Sequence, residues 1–150
     1  MQADGNPAFE IRESDIATVV AVSQQIPEFI NPHGAAESDR RLRGVPHLIL
    51  VAYVAEHPVG FKVGYERDGN FYSWMGGVLP DYRRLGIAQA LADAQEHWVK
   101  EQGYPHITFK TRNSHKGMLL FALKNDFDII AIEERDSIRD YRILLRKLLT

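Results

Sequence analysis

From Val78 to Gln89 the chain reads Val-Leu-Pro-Asp-Tyr-Arg-Arg-Leu-Gly-Ile-Ala-Gln. An apolar strand ends, Pro80 breaks it, and Arg83 and Arg84 lead into a small-residue turn where a helical pattern begins. Such a turn leaves several backbone N–H groups unpaired at the positive end of a helix, which suits an anion and above all a pyrophosphate. Gly86 and Ala88 keep side chains away, so the amides of residues 84–89, those of Leu85, Ile87 and Gln89 included, can be reached. Arg83 and Arg84 add positive charge, though one of them is as well explained by solvation. Gly-x-Gly-x-x-Gly does not occur, and neither does Gly-Lys-Ser or Gly-Lys-Thr, so the turn is neither a dinucleotide fingerprint nor a triphosphate loop.

The elements that must hold this turn follow from periodicity. Residues 7–12 alternate as a first strand, and Ser14 and Asp15 offer a cap to a helix that Pro27 stops. Residues 28–36 are irregular yet carry Phe29 and Ile30. Ser38 is expected to cap a brief polar helix whose Arg40, Arg41 and Arg43 read as a solvated face, closed by Gly44. Leu48–Ala55 is too apolar for an edge and reads as a central strand. It turns at Glu56-His57-Pro58 into Val59–Glu66, and Asp68-Gly69-Asn70 leads to Phe71–Leu79. The paired Gly76 and Gly77 suggest a bulge there, or a close approach by a ligand backbone. A helix with Ile87, Leu91, Ala94 and Trp98 on one face ends at Gly103. Residues 106–111 form a strand parallel to the preceding one, Ser114 caps another helix, and residues 127–132 and 138–145 close the sheet.

The expected order is β-α-α-β-β-β-α-β-α-β-β, an α+β fold with a mixed, largely antiparallel sheet flanked by helices on both faces. The 150 residues make one domain, 45% apolar and 25% charged, which is a soluble globular balance. A net charge of −2 favours neither nucleic acid nor an anionic membrane. There is no basic-then-apolar leader and no apolar run of about 18 residues, so no membrane span is expected. Cysteine is absent, which excludes disulfides and a cysteine nucleophile and fits a cytoplasmic address. The histidines show no metal-ligand spacing, so no metal site is expected.

Val78-x-Pro80-x-x-Arg83-Arg84-x-Gly86-Ile87-Ala88 resembles the acetyl-CoA signature of the GNAT superfamily of N-acetyltransferases, Arg/Gln-x-x-Gly-x-Gly/Ala. The element order from residue 9 to 145 also matches. The resemblance implies a single N-acetyltransferase domain over residues 1–150, with acetyl-CoA as donor and a small-molecule or protein amine as acceptor. Val78 and Leu79 would offer backbone groups to the pantetheine arm, Val78 also packing in the core. The thioester would lie where the fourth and fifth strands splay apart, with Gly76-Gly77 as the local cause. Asn113 matches an asparagine that bonds the pantetheine, or is an ordinary turn residue.

The expected chemistry is direct attack by a primary amine within a ternary complex. Where several members place a Glu or His as base, Tyr72 stands here, and with a reference pKa of about 10 it lines a pocket more readily than it takes a proton. Glu28, His33 and Glu66 are the other candidate bases. The acceptor pocket is expected from residues 26–36, with Phe29 and Ile30, from Tyr72 and Trp74, and from the last hairpin. Many members carry a tyrosine that protonates the leaving thiolate, and Ala122 falls on that position. Either the thiolate leaves unassisted, or Ser114 or a water serves, or catalysis is weak; the alternative is a non-catalytic acyl-CoA sensor. Pairing of closing strands would allow a homodimer.

Overall fold

The structure is a computed structural model and describes residues 8–27 and 34–149. Glu28, Phe29, Ile30 and His33 lie outside the described residues. The elements run β1 (Glu10–Glu13), α1 (Ile16–Ser23), α2 (Ala35–Leu42), β2 (His47–Val54), β3 (His57–Arg67), β4 (Asn70–Val78), α3 (Ile87–Glu101), β5 (His106–Arg112), α4 (Lys116–Lys124), β6 (Asp128–Glu133) and β7 (Arg142–Leu148). This is the expected order. The strands form one sheet, β1-β2-β3-β4-β5-β7-β6, antiparallel throughout except between β4 and β5.

The sheet is covered on both faces. On one, Leu48, Leu50, Ala52, Phe71 and Val78 pack with Ile87, Leu91 and Val99 of α3. Ala122 of α4 packs with Ile143 and Leu145, and Phe127 joins both groups. On the other face Val51, Phe61, Val63 and Tyr65 meet Val19 and Val22 of α1 and Leu42 of α2. Each large aliphatic residue so enclosed contributes roughly 2 kcal/mol by burial. β2 is apolar on alternate positions of both faces because both are covered, which confirms it as an internal strand.

Local chemistry explains where boundaries fall. Asp15 caps α1, its Oδ1 accepting from the Thr18 amide at 2.9 Å, and that bond holds the carboxyl below the usual carboxylate range. α1 ends at Ser23, before Pro27 is reached. α2 starts earlier than Ser38, with Gly34 as N-cap. Ser38 lies inside the helix, its hydroxyl donating back to the Gly34 carbonyl at 3.1 Å. The β2–β3 turn is Ala55-Glu56, with φ of 47° and 67°, so His57 and Pro58 open β3 rather than making the turn. Asp68-Gly69 forms the expected turn, with φ of 53° and 78°. His115, not Ser114, is the N-cap of α4, and no side chain caps it. β7 begins only at Arg142, because Ile138–Asp140 coil into a 3-10 turn capped by Ser137.

Two irregularities shape the sheet centre. β3 pairs Val63 with Met75 but Gly64 with Ser73, so Trp74 is an extra residue in β4. This bulge changes the alternation: Tyr72, Trp74 and Met75 all lie on the α1/α2 face, while Phe71 and Val78 lie on the α3 face. β4 and β5 then pair only at Phe71–Ile107 and Tyr72–Thr108. Beyond Tyr72 the two strands part. The splay starts at the Trp74 bulge, two residues before Gly76-Gly77, which corrects its expected cause. Gly76 serves a different need, since a Cβ there would lie 3.2 Å from the Phe61 carbonyl oxygen.

Candidate active site

The mouth of the splay is formed by the end of β4 and the start of α3. Leu79 donates its amide to the Val59 carbonyl at 2.8 Å, and its carbonyl accepts the Tyr82 amide at 2.9 Å. The first bond makes Val78 and Gly60 a non-hydrogen-bonded pair, so the N–H and C=O of Val78 point away from β3 toward the opening. Leu79, expected to offer backbone groups to a ligand, spends both inside the fold. Val78 is also packed in the core, 7% exposed.

Arg83 turns back to the strand, its Nε donating to the Val78 carbonyl at 3.0 Å. Arg84 adopts a left-handed φ of 64° and is exposed. Gly86 follows with φ 86° as N-cap of α3, and no side chain caps this helix. The Ala90 amide bonds the Gly86 carbonyl at 3.0 Å, so the amides of Ile87, Ala88 and Gln89 precede the first helical bond. Nothing lies within 4 Å of where a Gly86 Cβ would stand, and Gly86 and Ala88 are exposed. Leu85 packs against the core beside α3. The Gln89 side chain bonds Asp93 at 2.9 Å and Asn125 at 2.7 Å, tying α3 to α4 and leaving its backbone to face the turn. These open amides, the positive end of α3 and Arg84 fit a pyrophosphate.

On the α1/α2 face the splay is walled by rings. Tyr65 meets Tyr72 edge-on at 5.6 Å and Trp74 at 5.9 Å. Arg41 lies over the Trp74 ring at 4.6 Å and donates to the Tyr65 hydroxyl at 3.2 Å. The arginine expected to be solvated therefore braces this wall, while Arg40 does pair outward with Glu37. Arg67 covers Tyr72 at 5.0 Å. Burial, then the neighbouring Tyr65, pushes the Tyr72 hydroxyl above its ordinary range. Opposite stand Lys110 and Arg135, each within 3.4 Å of Glu133, whose carboxyl they hold below its usual range, Arg135 most. Past them opens a cavity of about 470 Å³ lined by Arg112, Glu134, Arg135, Asp136, Asp140 and Arg142.

Several expected partners are not brought together. Glu66 alternates with Tyr65 and so lies on the α3 face, away from Tyr72 and Trp74, where its Oε1 accepts from the Tyr104 hydroxyl at 2.8 Å. That carboxylate and burial push the Tyr104 hydroxyl up to about 12, burial most. Asn113 bonds the Ile138 carbonyl through Nδ2 and receives Lys116 at Oδ1, both at 3.1 Å, and so acts as a turn residue. Ala122 is 2% exposed and offers no proton. Tyr65 and Arg41 were not foreseen. A ring alternating with glycines in β3, and an arginine among arginines, carry no signal of their partners.

A split sheet with an uncapped helix start at its mouth is shaped to receive an extended ligand that carries an anionic group. Residues 19–127 match the model of the acetyltransferase (GNAT) family. An acetyltransferase of Sodalis glossinidius (strain morsitans) is 29% identical over 120 residues, covering 79% of this chain and 84% of that one. Another, from Pectobacterium atrosepticum, is 27% identical over 121 residues, covering 79% and 85%. In fold, the chain is similar to the ribosomal-protein-S18-alanine N-acetyltransferase of Escherichia coli, with TM-score 0.81, 14% identity and 95% of each chain covered. It is also similar to a GNAT acetyltransferase of Elizabethkingia anophelis with acetyl-CoA bound, with TM-score 0.75, 19% identity and 94% and 98% covered. The chain belongs to the GNAT family, in which acetyl-CoA-dependent acetylation is general, and it is an acyltransferase. Among the described residues no helix is long and apolar enough to cross a membrane.

Proposed function

We propose that this enzyme moves the acetyl group of acetyl-CoA to a primary amine by direct attack in a ternary complex. The observation that carries the reading is the line of backbone donors from Val78 to the uncapped amides of Ile87, Ala88 and Gln89 beside an unpaired strand edge. Bound acetyl-CoA would supply the thioester that the amine attacks. The α3 amides and Arg84 would hold its pyrophosphate, and Arg83 would fix the strand end that leads to it. The Val78 amide would pair with the pantetheine arm or polarise the carbonyl.

The amine enters from the α1/α2 face, against Trp74 and Tyr72. Tyr72 lines this entrance and keeps its proton near neutrality, because burial raises its pKa. Glu66 faces the other way, so the base is Glu28, His33 or water. The acceptor is a small-molecule or protein amine, and the lack of cysteine supports a cytoplasmic address. The exposed edge of β6 supports a homodimer by strand pairing. Calorimetry should give acetyl-CoA binding to the native chain, and thiol release in a broad amine screen should identify acceptors. Binding without turnover of any amine would overturn transfer in favour of a sensor.

A further inference from the structure

We propose that Lys62 is a catalytic residue of the donor cleft, its ammonium protonating the sulfur that leaves when the amine takes the acetyl group. The inference rests on the acetyl-CoA reading above.

Lys62 sits in the middle of β3 between Phe61 and Val63, both 0% exposed. Those neighbours point to the α1/α2 face, so Lys62 points to the α3 face. Three of its neighbours there have no side chain: Gly60 and Gly64 along β3, and Gly76 directly opposite on β4. Val78 and Ile87 fill the space beside Gly60 and the Phe71 ring that beside Gly64, while the lysine stem fills the space beside Gly76. A Cβ on Gly76 would lie 3.5 Å from Lys62 Cγ and 3.6 Å from its Nζ, so the stem folds across β4. Gly76 belongs to the stretch of β4 from which β5 has parted. The ammonium is thereby carried to the floor of the splay, one strand from the opening, and the residue keeps partial exposure.

Among the described residues no charged group acts on it, burial being the one cause of its shift. Leu50 stands across from it on β2 and Gly76 on β4, and the face it shares carries the apolar side chains of Leu48, Ala52, Phe71, Val78, Ile87 and Leu91. Glu66, further along the same face of β3, is bonded by Tyr104. A lysine placed among apolar groups is costly unless an acceptor arrives. Burial alone lowers its pKa to about 8, so it is charged at neutrality yet gives up its proton readily. Elsewhere on this face Nε2 of Gln95, 2% exposed, has no hydrogen-bond partner. An ammonium at the edge of an open cleft, with no acceptor among the described residues, points to a ligand that brings one.

In the step proposed, the acceptor nitrogen bonds the acetyl carbon and the carbon–sulfur bond breaks with its electron pair on sulfur. The Nζ proton passes to that sulfur, leaving lysine neutral. The acceptor nitrogen sheds its extra proton to water, and water reprotonates Lys62. Free coenzyme A tests this without an acceptor, by ultraviolet titration of its thiolate when bound. In the native protein the bound thiol should titrate at least one pH unit lower than in K62M, and K62R, which keeps the charge, should restore most of that shift. With the amine found by screening, K62M should lose at least tenfold in kcat with the KM for acetyl-CoA within threefold. The native fall in kcat above about pH 8 should vanish in K62M. Should K62M not fold, K62Q takes its place. Unchanged titration with kcat within twofold of native would overturn the role of Lys62 and leave the acetyl-CoA reading standing. A native chain that binds no acetyl-CoA would overturn both.

Discussion

The two faces of the split sheet are built from different materials. On the α3 face the site is mostly backbone: the outward edge of Val78, the left-handed Gly86 and the first amides of α3, all within a dozen residues of sequence. On the α1/α2 face it is side chain: Arg41 from α2, Tyr65 from β3, Tyr72 and Trp74 from β4, and Glu133 from β6. A backbone site depends on where the chain can turn, and it tolerates few residue types. A side-chain site depends on which segments the fold brings together. On the proposed reading one face would hold the donor, and the other could vary to take a different amine on the same frame.

The sharpest way to break this contrast is at Gly86. Gly86→Glu sets a side chain at a φ of 86° and a carboxylate at the helix start. Acetyl-CoA affinity should fall more than 100-fold by calorimetry, with circular dichroism unchanged. An affinity within threefold of native would remove the turn from the donor site. Trp74→Ala acts on the opposite face. It strips the ring from under Arg41, so the KM for the amine should rise roughly tenfold while acetyl-CoA affinity stays within twofold. A matching loss of acetyl-CoA affinity would show that the two faces are not separable.

Lys62 sharpens the contrast as a side chain on the backbone face. Its pKa is lowered from 10.5 to about 8 in the folded chain. Between these values the unfolded chain holds more protons, so the cost of burying the charge is present below about pH 8 and fades as pH rises toward 10.5. K62M should therefore be more stable than native at pH 7, by roughly 2 kcal/mol in calorimetric melts, with the gap closing by about pH 10. A gap independent of pH would place the lysine in water. The smallest effect belongs to Tyr72→Phe. Since burial makes the hydroxyl hold its proton, kcat and its pH profile should stay within about twofold. A tenfold loss would make Tyr72 a proton carrier after all.

How much was legible follows the same division. The element order, the internal place of β2 and the parallel step from β4 to β5 follow from apolar periodicity and from one helix spanning the connection. The strand end at Val78 and the helix start at Gly86 were legible because strand, proline, arginine and small residue stand in fixed succession. Leu79 was misassigned because only the register reveals that its amide belongs to Val59. Glu66 and Tyr72 looked like neighbours in a site, yet strand alternation sends them to opposite faces. The bulge was expected at Gly76-Gly77 and sits at Trp74 instead, because a one-residue insertion has no residue signature when the inserted residue is a tryptophan. Lys62 carries no signal of its own within the strand, and only the cover of α3 makes it unusual.

The order β5-β7-β6 has a kinetic consequence. β6 is made before β7 but lies outside it, so it cannot join the sheet until residues 142–148 have paired with β5. Until then β5 keeps an open flank, and the Ile129, Ile130 and Ile132 side chains of β6 have no strand to rest on. During synthesis the β1–β4 half can close early through its hairpins, while the half that completes the splay waits for the last strand. The cleft is thus the last part of the molecule to acquire its shape, and a chain halted before residue 142 would carry the donor turn without the wall that faces it.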